Sequence, residues 1–165
     1  VNAAKGPARL GGVAVPAPGT AARRGIRALP VNPLDLAGRA AATALLTASG
    51  YIHLDLYLNG YRVIPKVGTL FLIQANGSFA VALLLLLTGS FVPRLAAAGL
   101  SAGALFGFVL SRTVGVFGFT ERGLQPDPQA LASILVEAAL LIVLAVSLVP
   151  LVIQAMGRRS PATTR

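Results

Sequence analysis

The sequence predicts an all-α membrane protein: four transmembrane helices in an up-down antiparallel bundle. Three observations carry that expectation. Four apolar runs lie near residues 36–58, 67–88, 95–117 and 130–156, and a helix of roughly 20 apolar residues is what a bilayer core about 30 Å thick requires. Hydrophobic residues make up 55% of the 165-residue chain and charged residues 12%, about half the charged share of soluble domains. The connections between the runs are short, which forces neighbouring helices to run in opposite directions.

Taken in order, residues 1–33 are rich in Ala, Gly, Pro and Arg and carry no apolar period. Such a segment cannot bury enough surface to offset ordering, so a flexible basic cytoplasmic tail is expected. Residues 34–157 form the four-helix domain, and 158–165 a second short cytoplasmic tail. Asp35 is placed to cap the first helix. Asn59–Lys66 joins helices 1 and 2, with Gly60 and Pro65 suited to a turn. Pro93 suits the first turn of helix 3. The longest connection, Gly118–Gln129, holds a Gly-Leu-Gln-Pro-Asp-Pro run that opposes regular structure. Pro150 should kink helix 4.

Charge sets the expected orientation. Lys5, Arg9, Arg23, Arg24, Arg27, Arg39, Arg94, Arg158, Arg159 and Arg165 fall on one side of this topology, and Arg62, Lys66 and Arg122 on the other. The positive-inside rule then puts both termini in the cytoplasm. The preference for Arg over Lys, with abundant Ala, Gly, Leu and Val, points to a high-GC bacterial genome and its inner membrane. The net charge of +9 is accounted for by topology, with no basic helix or aromatic platform for nucleic acid. The absence of cysteine excludes disulfides, thiolate metal sites and thiol redox chemistry.

Ionisable groups inside a membrane are costly and often functional. His53, Asp55, Gln74, Asn76, Arg112 and Glu137 fall at one depth, very roughly 5–13 Å below the outer boundary at 1.5 Å per residue. His53 and Asp55 are two residues apart and cannot share a helical face. Arg112 and Glu137 are expected to pair across helices 3 and 4, as a structural clamp or as a proton- or substrate-handling couple. His53 is the only histidine, so bis-histidine haem ligation within the chain is impossible, and neither a metal site nor a cofactor is expected. Asn76-Gly77-Ser78 matches a glycosylation sequon but falls inside a span. Gly99, Gly103 and Gly107 form a small-xxx-small stripe that serves intrachain packing or contact with another subunit. At 100° per residue, Arg112 lies nearly opposite that stripe.

In size and helix count the chain is similar to small four-helix membrane families such as the DoxX-like proteins and the small multidrug transporters. The latter carry their key Glu in the first helix, whereas the membrane Glu here is Glu137 in the fourth, so no family is assigned. No catalytic motif stands out. The expected function is a non-enzymatic accessory or assembly subunit of a membrane complex, in contact with lipid and with a homo-oligomer or larger complex as partner. The alternatives are a small proton-coupled transporter using Glu137 and Arg112, or a lipid- or quinone-binding membrane enzyme.

Overall fold

The computed structural model describes residues 33–157, with side chains described through 149. The two predicted tails lie outside this range, apart from Pro33. The described chain is all-helical: α1 (Pro33–Leu58), a 3₁₀ turn (Tyr61–Val63), α2 (Val67–Leu87), α3 (Phe91–Arg112) and α4 (Gln129–Gly157). Three of these are long and apolar enough to cross a membrane: α2, α3 and the Gln129–Val149 part of α4, with mean hydropathies of 2.1, 1.5 and 2.6. The longer but more polar α1, with Asp35, Arg39, His53 and Asp55, is not among them.

Two helices depart from the expected bounds by more than a residue. α1 opens on Pro33, whose missing N–H is no loss in a first turn. Asp35 therefore lies inside that turn rather than capping it, and it pairs with the buried Arg94 of α3. α3 runs from Phe91 to Arg112, not over 95–117. The apolar Val114–Phe119 segment extends no span. Gly115 has a φ of 84°, and a Cβ there would sit 2.8 Å from the Thr120 side chain. Beyond it Val116 and Phe119 exchange backbone hydrogen bonds of 2.8 and 2.9 Å around Phe117 and Gly118, with φ of 53° and 83°. Positive φ at both central residues is the signature of a tight hairpin turn.

The helices pack as a ring: α1 against α2 and α4, α3 against the same two. At one end the start of α1 meets the end of α2, where Arg39 donates to the Leu85 and Leu86 carbonyls at 3.0–3.3 Å. Those carbonyls have no partner within their own helix, and a cation suits a helix C-terminus. At the other end, the loop end, Gln129 at the start of α4 donates to Asp55 near the end of α1 at 3.4 Å. Two apolar clusters fill the interior. One comprises Ala42, Leu46, Ala82, Leu85, Ala97, Leu140 and Leu144, its alanines admitting close helix approach. The other, at the loop end, is Leu56, Tyr61 and Val67 with Phe71, Val116 and Phe119 against them. Leu83, Leu84, Leu86, Ile142 and Val146 point outward, as lipid-facing side chains do.

Candidate functional site

Between the helices at the loop end lies a partly enclosed cavity of about 300 Å³. Its walls are apolar: Leu56, Val67, Leu70, Phe71, Ile73, Phe108, Val116 and Phe119. Polar groups reach it from every side: His53 from α1, Gln74 from α2, Ser111 and Arg112 from α3, Ser133 from α4, and Tyr61 and Glu121 from the connections. Leu70, Ile73 and Gly103 are lining residues that are also exposed, so the opening lies between α2 and α3.

The polar end is built on Glu121. Its backbone N–H donates to the Ser111 carbonyl at 2.9 Å, which brings the long connection back over the bundle. Tyr61 donates to Glu121 Oε1, and Arg112 Nη1 lies 3.1 Å from Oε2. Arg112 also donates to the Gly123 carbonyl at 3.1 Å, to Ser111 Oγ at 2.5 Å and to the Gln125 carbonyl, and its guanidinium lies 3.8 Å from the Phe108 ring centroid. A planar fork suits such multiple, stacked engagement. Tyr61 stacks on Phe71 with centroids 4.2 Å apart and meets Phe119 edge-on. Burial, together with the hydrogen bond to Glu121 and that carboxylate's charge, pushes the Tyr61 phenol above its ordinary range, against the opposing charge of Arg112.

His53 forms part of the wall. Its Nδ1 lies 2.9 Å from the Ser49 carbonyl. A carbonyl only accepts, so Nδ1 carries the proton, and the other nitrogen of the neutral ring, Nε2, is an acceptor. Gln74 Nε2 donates to the Leu100 carbonyl at 3.3 Å, leaving its oxygen as an acceptor.

Of the six predicted polar residues, the cavity thus gathers His53, Gln74 and Arg112. Asp55 stands aside, accepting from Asn59 at 2.8 Å and from Gln129. Asn76 is exposed and bonds back to its own helix at Leu72. Glu137 is fully buried and accepts from Ser49 Oγ at 2.5 Å. The expected Arg112–Glu137 pair is not formed. Arg112 ends α3 rather than lying five residues inside it, so its guanidinium sits at the rim, where Glu121 meets it. The glycine stripe also takes another part. A Cβ added at Gly99, Gly103 or Gly107 would meet nothing within 4 Å, so among the described residues no neighbouring helix packs against the stripe. Gly103 and Gly107 instead leave space that belongs to the cavity. Arg112 borders the same cavity from the helix end, with its guanidinium over Phe108, another lining residue.

Sequence reasoning missed Tyr61 and Glu121, which lie in the connections rather than in the apolar runs. The available signal was their position next to the ends where α1 and α3 stop. No known family, curated protein or solved structure matches the chain.

Proposed function

We propose that the chain is a small, non-enzymatic, four-pass protein of a bacterial inner membrane that holds a neutral amphiphilic molecule in the cavity at its outer end. In this reading the helices alternate in direction and both termini are cytoplasmic. α1 completes the bundle as a fourth span: at 1.5 Å per residue its 26 residues reach across the bilayer core. Its charges are all partnered, Asp35 with Arg94, Arg39 with the end of α2, and Asp55 with Asn59 and Gln129.

The cavity is the observation that carries the reading. Its size is that of a small-molecule site, and apolar walls with a few convergent polar groups are the usual composition of one. The polar end selects the head group. The donors of Arg112 are engaged by Glu121, Ser111 and two carbonyls, which leaves little for an anionic head. What the lining residues still offer is acceptor capacity: His53 Nε2, the Gln74 oxygen and the remaining lone pairs of the Glu121 carboxylate, whose oxygens already take Tyr61 and Arg112. A hydroxyl- or phenol-bearing lipid matches it. An accessory role in a larger complex accords with such a binding module. A proton-coupled carrier is the second reading, favoured by the position of Glu137 below the cavity.

Native mass spectrometry of protein released from its membrane tests the proposal. The wild type should carry one neutral amphiphile per chain, and Gly107→Trp, which fills the cavity from a position with open space beyond it, should lose it. A ligand-free wild type, or equal retention in the filled variant, refutes it.

A further inference from the structure

One helical turn beneath the cavity lies a second polar layer. The lining residues His53, Gln74, Ala104 and Ser133 come one from each helix. Three or four residues deeper along the same faces are Ser49, Ser78, Ser101 and Glu137, and positions at that spacing lie one above the other on a helix. All four are fully buried. Another turn deeper stand Leu46, Ala82, Ala97 and Leu140, members of the sealed apolar cluster. The interior is thus stacked as cavity, polar layer and apolar plug.

The polar layer is incompletely satisfied. Glu137 Oε1 accepts from Ser49 Oγ, but Glu137 Oε2, Ser78 Oγ and Ser101 Oγ are buried without a hydrogen-bond partner. Buried polar atoms normally have partners, and their exceptions call for an explanation. Among the described residues no cationic side chain pairs with Glu137; the ion pairs formed are Arg94–Asp35 and Arg112–Glu121. A carboxylate in low dielectric must be neutralised by a cation, a metal or a proton. Of the three hydroxyls, Ser49 Oγ reaches the carboxyl, and a hydroxyl both donates and accepts, so it can hand a proton to or from that carboxyl.

We propose that Glu137 is a proton-binding site that exchanges its proton with the cavity and is closed toward the opposite end by the apolar plug. The groups around it on each element are Ser49 and His53 on α1, Gln74 and Ser78 on α2, Ser101 on α3 and Ser133 on α4. His53 is the one titratable group among them, and the Arg112–Glu121 pair stands at the far side of the cavity. The route rests on the cavity described above, and the site adds to it a second, chemically distinct occupant: one proton per chain.

Infrared spectroscopy of the full chain in neutral phospholipid vesicles reads this directly. A carbonyl-stretch band of a protonated carboxyl should be present in the wild type and missing in Glu137→Gln. In heavy water the band should shift as the proton exchanges, and Gly107→Trp should slow that shift several-fold. Gly103→Trp serves as a second filler if the first does not fold. Absence of a Glu137-dependent band at every pH overturns the site. A band that exchanges at the wild-type rate in both filled variants overturns the route. Native mass spectrometry on the same samples separates this from the ligand reading: a ligand-free wild type with filler-sensitive exchange sinks the amphiphile and supports the proton site.

Discussion

Arg112 has two candidate partners, and a pair of double-mutant cycles distinguishes them. The variants are Arg112→Leu, Glu121→Gln and Glu137→Gln, alone and in the two combinations that include Arg112. The Arg112–Glu121 nitrogen–oxygen distance is 3.1 Å, and the side chains are 15% and 20% exposed. Freely exposed pairs couple by about 0.2–1 kcal/mol, whereas hydrogen bonds to charged groups contribute about 1.5–3 kcal/mol. A mostly buried pair at the membrane rim falls between, so a coupling of about 1–2 kcal/mol is expected. Arg112→Leu alone should cost more, about 3 kcal/mol, because it also removes the carbonyl bonds to Gly123 and Gln125 and the Phe108 contact, the last worth about 0.5–1 kcal/mol. Arg112 and Glu137 share no bond, so their effects should add to within about 0.5 kcal/mol. Reversible unfolding in mixed micelles measures both cycles. Stronger coupling of Arg112 to Glu137 than to Glu121 would refute the assignment of partners.

Three further outcomes are expected. The unfolded Tyr61 phenol ionises near its ordinary value of 10 and the folded one higher; the Tyr61–Glu121 contribution is therefore complete below that value and is lost as pH rises toward the folded pKa, and Tyr61→Phe should flatten that part of the pH–stability curve. Gly68→Ala would place a Cβ 2.5 Å from the Tyr61 carbonyl oxygen and 3.0 Å from Arg62 Cα; backbone cannot yield as a side-chain tip can, so a loss of about 1–3 kcal/mol should appear as a lower unfolding midpoint. Reporter fusions after Arg94 and Arg165 should read cytoplasmic and those near Lys66 and Gln125 external; an external C-terminus contradicts the orientation.

The helices themselves were legible because an apolar run long enough to cross a bilayer has few other uses. α2 ends one residue from its expected position and α4 begins one residue early. α3 was displaced because Val114, Val116, Phe117 and Phe119 continue its apolar composition, while the chain leaves the helix at Thr113 and Gly115, whose φ is positive, and turns back at Phe117–Gly118. That shift undid the pairing of Arg112 with Glu137, which had been inferred from depth alone. Glu121 was illegible as a partner because no periodicity describes a loop folding back on itself. The layer shared by Ser49, Ser78 and Ser101 was illegible for the opposite reason: a lone serine in an apolar helix looks like any other small packing residue. Only their common level, fixed by four helices at once, distinguishes them.

The two connections at the loop end are tied to each other. Tyr61 bonds Glu121 and packs on Phe119, and Lys66 lies 5.2 Å over the Phe117 ring. Residues from 61 to 66 and from 117 to 121 thus form one roof over the cavity, while its exposed lining residues Leu70, Ile73 and Gly103 sit on the flank between α2 and α3. For the amphiphile proposed above, such a flank means arrival sideways, by diffusion within the leaflet. Occupancy is then governed by the mole fraction of the ligand among the surrounding lipids, and dilution of the aqueous phase should leave it unchanged.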